Sequence, residues 1–557
     1  MPARIYPSTA VAVALLLLLV CQAAADSVSG AAPDSHSTVA SAEALASVHR
    51  SGAPHVLASA VAQQAASPGP GEHHLGSRPR RPCATEAGQA PLSLSSPSAF
   101  MASSLTPTFW WGTATAAYQV EGYTTANGRG ASIWDTFSAT PGKTYNGESG
   151  EKADEFYKRY PADIKLMQSL GVRHFRMSVA WPRILPKGTG TVNQAGVNFY
   201  VTLVDALKAA DIQPYVTLYH WDLPQTLQDS YGGWGSSRIV NDFAAYADVV
   251  FKALGSRVTY WTTFNEPWSF CFMGNANGQH APGLTDRAVA WNCAYHVLLA
   301  HAAAVKKFRA AVPGGKIGMN INSDWSEPFS SSSQDQAAAD RKVEFMAGIF
   351  GDPLYLGDWP ASVKQRVPNL PTITSDQARD IKGSTDYFAL NHYTTLYVKD
   401  APGAYGLEGL LDASASANGP EGLVGPQADS SWLYTVPWGI RKMLNWVNNR
   451  YHPGEIYVTE NGCDVPGESG LALPEALNDT FRVNFYQGYV QAAAQAAAYD
   501  GVPLKGYFAW SLLDNFEWAD GYAKRFGIVY VDYSTQARYV KRSARYLANL
   551  FGTVGSA

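Results

Sequence analysis

Residues 260–265 read Tyr-Trp-Thr-Thr-Phe-Asn and lead directly into Glu266, and residues 455–460 read Glu-Ile-Tyr-Val-Thr-Glu. Runs of this kind, apolar along most of their length and not only at alternate positions, are typical of strands buried on both faces of a parallel sheet. Six further stretches have the same character, so the sequence predicts eight strands. The other six are Phe109–Ala117, His174–Ala180, Pro214–Tyr219, Lys316–Ser323, Tyr387–Tyr393 and Lys505–Leu512.

Helical patterns separate these strands along the chain. One runs from Pro161 to Leu170 and stops at Gly171, and another has apolar residues at one-face spacing between Val197 and Leu207. Eight βα units predict a (β/α)₈ TIM barrel forming a single catalytic domain over residues 107–555. A doubly wound open sheet fits less well, because no Gly-rich dinucleotide or phosphate loop follows the first strand. A barrel places its chemistry at the C-terminal ends of the strands.

The N-terminus has the features of a secretory signal peptide over residues 1–25. Arg4 precedes an apolar run at residues 10–20, which small residues follow. The run is shorter than the roughly 20 apolar residues that a membrane-spanning helix needs, so we expect no stable membrane span. Residues 26–106 are rich in Ala, Ser, Pro and Gly and read as a disordered low-complexity linker or pro-segment. We expect a secreted or secretory-pathway protein; a bipartite organelle address is the alternative.

The net charge of the chain indicates which classes of binding partner do not suit it. The 557-residue chain carries a net charge of −4 and has a pI near 6.3, which argues against a nucleic-acid binder and against a polybasic membrane-surface protein. Four cysteines remain after the signal, too few for a disulfide scaffold, and the sequence leaves their pairing open. They are Cys83, Cys271, Cys293 and Cys463.

Two carboxylates end the two strands quoted first. Glu266 and Glu460 each lie beside an asparagine and at corresponding strand ends, so both should point into the barrel mouth. A single such Glu could simply cap a helix or pair with an arginine. A pair suits hydrolysis of a glycosidic bond, in which one carboxyl protonates the departing oxygen while the other attacks the anomeric carbon or activates water. Arg176 and Tyr393, on two other strands, can donate hydrogen bonds to one of them.

Beyond the two glutamate motifs, several longer motifs carry a resemblance to a known family. They span roughly residues 109 to 551, and the sequence resembles glycoside hydrolase family 1, the β-glucosidase type. The motifs are FWWGTATAAYQVEG at 109–122, SIWDTF at 132–137, YHWDLPQ at 219–225, HAPG at 280–283 and WSLLDNFEW at 510–518.

The resemblance implies a retaining β-glycosidase. Glu266 would be the general acid and base and Glu460 the nucleophile, with carboxyl groups about 5–5.5 Å apart. Arg176 and Tyr393 would hold Glu460, and Asn265 would bind the sugar 2-hydroxyl. The implied substrate-binding residues are Gln119, His220, Asn265, Tyr393, Trp432, Trp510, Glu517, Trp518 and Phe526.

These residues would have separate tasks. Trp510 would be the stacking floor under the sugar, and Trp432 the platform for the aglycone, with Phe526 near the end of the pocket loop. Position 266 holds the Glu that the resemblance associates with hydrolysis of ordinary O-glycosides. Glu517 would repel a 6-phosphate. The expected substrates are therefore small unphosphorylated β-glycosides or oligosaccharides. No metal or organic cofactor is implied.

Several alternatives stay open on the sequence alone. A transglycosidase would use the same covalent intermediate, and water access depends on loops such as residues 403–430. A non-catalytic sugar-binding barrel is the alternative from another class. The choice among glucose, galactose and fucose, and the oligomeric state, are also open.

Overall fold

The computed structural model describes residue 105 and residues 108–404 and 411–554. The expected signal peptide, nearly all of the low-complexity segment and Cys83 lie outside the described residues.

Eight parallel strands close into a barrel, which confirms the predicted fold. Going around the barrel, the order is β1-β13-β12-β7-β5-β4-β3-β2, so the last strand pairs with the first. The strands are β1 (Trp110–Ala114), β2 (His174–Ser178), β3 (Gln213–Tyr219), β4 (Tyr260–Asn265), β5 (Lys316–Asn322), β7 (Phe388–Asn391), β12 (Ile456–Asn461) and β13 (Leu504–Trp510).

Helices surround the barrel and connect its strands. They are α1 (Ala117–Val120), α2 (Ile133–Ala139), α3 (Phe156–Ser169), α4 (Trp181–Ile184), α5 (Gln194–Ala209), α6 (Gln225–Tyr231), α7 (Arg238–Leu254), α8 (Arg287–Ala311), α9 (Ser333–Val343), α10 (Ile349–Tyr355), α11 (Ala361–Arg366), α12 (Ser375–Ile381), α13 (Pro437–Tyr451), α14 (Leu473–Ala476), α15 (Thr480–Asp500) and α16 (Arg542–Val554).

In the described part of the chain, seven shorter strands lie outside the barrel, in the segments that connect or follow its strands. The three-stranded sheet β6-β8-β9 lies in the connections on either side of β7, and two hairpins complete the set. The strands are β6 (Trp325–Pro328), β8 (Thr395–Asp400), β9 (Ala413–Ser416), β10 (Asn418–Gly419), β11 (Gly422–Leu423), β14 (Val529–Asp532) and β15 (Ala537–Val540).

Two predicted boundaries were wrong by a few residues. The first strand ends at Ala114, not at Ala117, because the chain turns into α1. The helix expected to start at Pro161 starts at Phe156 and contains the proline. Proline removes one intrahelical hydrogen bond, but the packing of Phe156 and Ile164, both buried, holds the helix through it.

The barrel interior is layered. Its N-terminal half is filled by aromatic rings from several strands; for example, Trp110 lies 4.3 Å from Tyr260, and Tyr215 lies 5.5 Å from Phe508. The C-terminal half is polar, with Arg176 and Asn265 fully or almost fully buried. The polar layer therefore lies on the mouth side of the aromatic layer.

Helix α8 is, within the described ranges, the one helix long and apolar enough to cross a membrane by length and composition. Two-thirds of its apolar window is buried inside the protein, and it packs along α7. This burial is that of a core helix.

Candidate active site

Glu266 and Glu460 lie at the C-terminal end of the barrel, as the sequence predicts. Glu460 is the penultimate residue of β12, and Glu266 follows β4 directly. Both side chains are buried, and Glu266 takes a left-handed backbone conformation with φ 46°. A non-glycine residue with positive φ costs of order 1–3 kcal/mol and needs a surrounding structure that enforces it.

Glu460 is held by two donors. Arg176 donates from Nη1 to Oε1 at 2.5 Å, and Tyr393 donates from Oη to Oε2 at 2.7 Å. Burial, and then the charge of Glu460, raise the pKa of Tyr393 well above its usual range, so this phenol keeps its proton. Each oxygen of the Glu460 carboxylate therefore accepts one hydrogen bond, and bonds of this charge-assisted kind hold the carboxylate in position.

Glu266 lies in a different environment. Asn391 donates from Nδ2 to Oε1 at 2.8 Å and Ser269 donates from Oγ to Oε2 at 2.9 Å, but no cation contacts it directly among the described residues. Burial and the nearby negative charge of Glu460 raise the pKa of Glu266 to about 8. Glu266 therefore carries a proton at neutral pH.

A chain of polar side chains connects the two carboxyl groups. Arg176 donates from Nη2 to Asn265 Oδ1 at 2.6 Å while its other nitrogen binds Glu460. Asn391 donates from Nδ2 both to Asn265 Oδ1 at 3.0 Å and to Glu266. Movement of either carboxylate would therefore break hydrogen bonds that position the other.

Gln119 and His220 each present one buried polar atom without a protein partner. Gln119 donates from Nε2 to Asn515 Oδ1 at 3.0 Å and to Glu517 Oε2 at 3.3 Å, which leaves Oε1 without a partner. Asn265 donates to His220 Nε2 at 2.9 Å, so the ring proton is on Nδ1, also without a partner. Burial, then the Arg176 charge, keep the pKa of His220 well below its usual range. Such atoms call for a ligand that supplies hydroxyl groups.

Aromatic rings form a wall next to these atoms. Trp510 and Trp518 are each nearly parallel to the His220 ring at 5.9 Å, and Trp518 lies 4.4 Å from Trp221. Both indoles are almost fully buried. The pocket thus combines flat apolar surface with polar atoms, the combination that a pyranose ring requires.

Trp432 and Phe526 flank Tyr393 from different depths. Trp432 is 45% exposed and stands edge-on to the Tyr393 ring at 5.8 Å. Phe526 is buried and stands edge-on to the same ring at 6.3 Å. Trp432 is therefore available at the rim, whereas Phe526 supports the tyrosine from behind.

The rim is tied together across three loops. Lys524, in the loop after β13, donates to Asp429 Oδ2 at 2.8 Å. Asp429 also accepts from Gly467 N at 3.0 Å, and Ser430 donates to Asp464 Oδ2 at 2.7 Å. These contacts fix the segment that leads into Trp432.

Comparison with known proteins agrees with this geometry. The family described as Glycosyl hydrolase family 1 matches residues 101–555. The chain belongs to this family. It is 44% identical over 451 residues to Beta-glucosidase 4 of Oryza sativa subsp. japonica, covering 79% of this chain and 93% of that one.

Solved structures of the family superpose over the same region. One is a GH1 beta-glucosidase from the fungus Humicola insolens in complex with glucose, with 43% identity, TM-score 0.78, and coverage of 80% of this chain and 98% of that chain. Another is a mutant of the rice Os3BGlu6 beta-glucosidase in a covalent complex with Glc, with 41% identity, TM-score 0.77, and coverage of 80% and 98%. The expected activity is confirmed at this level: the protein is a family 1 glycoside hydrolase, a retaining β-glucosidase.

Two side chains that bind Glu266 were not predicted from the sequence. Asn391 ends β7 and binds both Asn265 and Glu266. Ser269 follows the acid motif by three residues and holds Glu266. The signal for Asn391 was present, since it is a lone amide within the apolar run Tyr387–Tyr393, but its partners lie on other strands.

The structure decides the cysteine pairing left open by the sequence. Cys271 and Cys293 form a disulfide with Cα atoms 5.5 Å apart, and Cys463 is free and buried.

Among the described residues, no group of three or more His, Cys, Asp or Glu side chains is arranged to hold a metal ion.

Proposed function

We propose that the enzyme removes terminal non-reducing β-D-glucosyl residues from unphosphorylated O-glycosides and short oligosaccharides, with Glu460 as nucleophile and Glu266 as acid and base. The observation that carries this assignment is the contrast between the two carboxyl groups. Arg176 and Tyr393 donate to Glu460, whereas burial and the charge of Glu460 raise the pKa of Glu266 to about 8.

In the first step Glu460 attacks the anomeric carbon. A glycosyl–carboxylate bond forms as the bond to the leaving oxygen breaks, and Glu266 transfers its proton to that oxygen. Arg176 and Asn391 bind the two glutamates and both donate to Asn265, so Asn265 lies next to both carboxyl groups' partners and is suited to bind the 2-hydroxyl. A contact there stabilises the transition state more than the ground state.

In the second step the roles of Glu266 reverse. Esterification removes the negative charge of Glu460, which is the second cause of the raised pKa of Glu266. The pKa of Glu266 then falls, and its carboxylate can take a proton from water attacking the anomeric carbon. The bond between the anomeric carbon and Glu460 breaks as the bond to the water oxygen forms, so free sugar leaves with Glu460 again a carboxylate and Glu266 again protonated. The covalent complex reported for the rice relative supports such an intermediate.

The surroundings of the proposed sugar pocket support a preference for unphosphorylated substrates. Gln119 Oε1 and His220 Nδ1 are available for hydroxyl groups, and Glu517 contacts Gln119. Burial, then Asp520, Asp464 and the catalytic pair, raise the pKa of Glu517 well above its usual range. Among the described residues no cation forms an ion pair with Glu517, so a phosphate dianion bound beside it would have no counter-charge there.

The assignment is tested with a 2-fluoro-glucoside that carries a good leaving group. Glu460 should become covalently labelled, as peptide mass spectrometry would show, and Glu460→Ala should lose labelling and turnover. Glu266→Gln should still be labelled, but should hydrolyse poor leaving groups about 10²–10⁴-fold more slowly. Equal losses for good and poor leaving groups would contradict the roles. Release of aglycone without matching free sugar would instead indicate transfer.

We also propose that the protein enters the secretory pathway. Disulfides persist in oxidising compartments, and Cys271–Cys293 is such a bond. Asn478, the first residue of an Asn-Asp-Thr sequon, is exposed. N-terminal sequencing of the protein from culture medium should show removal of about 25 residues. Retention of an intact N-terminus on intracellular protein would contradict the proposal.

A further inference from the structure

A surface groove outside the barrel has the composition of a saccharide site. Two adjoining concavities, of about 610 and 680 Å³, share Trp438 and Lys442. We call them together the Trp438 groove. Their volumes lie within the range of ligand-binding clefts. The first is lined by Trp325, Trp438, Arg441, Lys442, Asn445, Trp446, Asn449 and Asp500.

Three indoles line the first concavity. Trp438 and Trp446 are eight residues apart on α13 and share one helix face with Asn445 and Asn449, while Trp325 comes from β6. Trp438 is 39% exposed, and the other two are partly exposed. Among the described residues, Trp432 and Trp438 are the two tryptophans counted as exposed. Trp432 has a role at the rim, whereas Trp438 has none in the pocket.

The charges of the groove are paired. Arg441 binds Asp500 through two hydrogen bonds of 2.7 Å each, and Lys442 binds Glu327 at 2.7 and 2.8 Å. Lys442 also lies 4.9 Å from the Trp438 ring. A groove with paired charges exerts little net attraction on a charged ligand but offers many donors and acceptors.

The groove is rigid where α13 begins. A Cβ added to Gly439 would lie 1.9 Å from Thr395 Oγ1, so this turn of the helix packs directly on β8. Trp325 is fixed in turn by a 2.8 Å hydrogen bond from its Nε1 to Glu327 Oε2. Rigid indoles lose little entropy when a flat ligand stacks on them.

We propose that the Trp438 groove is a second, non-catalytic binding site for a neutral β-linked oligosaccharide. Exposed indoles stack on the apolar faces of pyranose rings. Asn445 Nδ2 already donates to the Arg441 carbonyl and to Asp500, so Asn445 Oδ1, the Asn449 amide and the paired charges remain to bind hydroxyl groups. Trp438 follows Trp432 by six residues, so the groove lies within about 22 Å of the rim. The choice of a β-linked glucose chain rests on the proposed function.

The experiment measures saccharide binding with the active site blocked. Protein labelled on Glu460 by the 2-fluoro-glucoside is titrated with cellohexaose by isothermal calorimetry, and Glu460→Ala is titrated in parallel. In the labelled protein, whose sugar pocket is filled, we expect the groove to bind with a Kd on the order of 1 mM. Glu460→Ala keeps an open pocket, so it should bind at the pocket and at the groove. The double variant Trp438→Ala, Trp446→Ala should weaken binding at least tenfold in the labelled protein and remove one of the two sites in Glu460→Ala. The matched control is Tyr539→Ala, an exposed aromatic residue on β15.

The outcomes separate this proposal from the proposed function. Failure of the label to attach to Glu460 would contradict the catalytic assignment, whereas the Glu460→Ala titration would still test the groove. No binding of cellohexaose to the labelled protein, or binding that the double variant leaves unchanged in both proteins, would overturn the proposed site. A thermal midpoint within a few degrees of the parent would show that the variant is folded, and the single substitution Trp438→Ala would serve if the double variant is not.

Discussion

At the scale of single residues, the two terminal nitrogens of Arg176 donate to different acceptors. Nη1 binds Glu460 and Nη2 binds Asn265, and both bonds lie in a fully buried layer. Glu266 contacts Asn391 and Ser269 instead, and its burial and the charge of Glu460 raise its pKa to about 8, so two residues of the same chemistry lie in different environments. The difference comes from their partners and not from their positions in the sequence.

The fall in kcat/KM at alkaline pH should follow the deprotonation of Glu266. The proposed role requires its acid form, and its pKa is about 8, so kcat/KM should fall tenfold per pH unit above that value. The measurement is a pH profile of kcat/KM with an alkyl β-glucoside. In Glu266→Gln, assayed with an activated leaving group, this limb should disappear; its persistence at the same pH would assign it to another residue.

Tyr393→Phe should lower kcat/KM without a change of leaving-group preference. The substitution removes one hydrogen bond to the Glu460 carboxylate, and bonds to charged groups contribute about 1.5–3 kcal/mol. We expect a loss of about tenfold to a hundredfold for good and poor leaving groups alike. The matched control is Tyr387→Phe, whose hydroxyl donates to the Trp261 carbonyl in the aromatic layer. An equal loss in the control would show that the effect is structural.

At the scale of secondary-structure elements, a helix that is distant in the sequence stabilises the turn after Glu266. Residues Ser269–Met273 form a π-helical turn, which contains Ser269, the donor to Glu266, and Cys271. The disulfide joins this turn to Cys293 on α8, and α8 packs on α7. The long helix thus holds the segment that positions the acid.

Removing the disulfide should destabilise the fold. The bond spans 22 residues, for which the loss of loop-closure entropy corresponds to about 3 kcal/mol of unfolding free energy. Denaturant unfolding of the double variant Cys271→Ser, Cys293→Ser measures this effect. Cys463→Ser, which replaces the free buried thiol, is the control. Reductant should lower the stability of the parent but not that of the double variant; the opposite result would contradict the assignment.

At the scale of the whole molecule, a buried network of ion pairs joins the loops after β12 and β13 to the C-terminal helix α16. Lys541 donates to Glu468 at 2.5 Å and to Asp514 at 2.7 Å, and all three side chains are buried. Arg482 binds Glu468 and Arg525 binds Asp514. The network therefore connects the loops after β12 and β13 with the start of α16, next to the strand pair that closes the barrel.

Lys541→Met should destabilise the whole barrel. Losing one partner of a buried pair leaves uncompensated charge, at a cost of about 3–5 kcal/mol. Equilibrium unfolding in urea checks this value. The control, Arg173→Ala, removes an ion pair with Asp211 whose side chains are 64% and 78% exposed, and should change stability by less than about 1 kcal/mol. Equal effects of the two variants would contradict the structural role of the network.

Much of the barrel could be predicted from local sequence. Each strand is a contiguous apolar run, so periodicity and length located all eight, and boundaries missed by a few residues where a turn followed. The short strands β9 to β11 lie within a stretch that the sequence left as loop, because each has only two to four residues. Asn391 and Ser269 were missed as site residues because their contacts join separate elements.

The sequence by itself determined the parallel barrel, the positions of Glu266 and Glu460 at strand ends, and the family, since contiguous residues carry all three. Only the tertiary structure decided the partner of Cys271, the chain of contacts through Asn265 and Asn391, and the assembly of the Trp438 groove from β6 and α13. It also decided the pKa of Glu266, because burial and the distance to a charge are properties of residues that fold together and not of residues that follow one another.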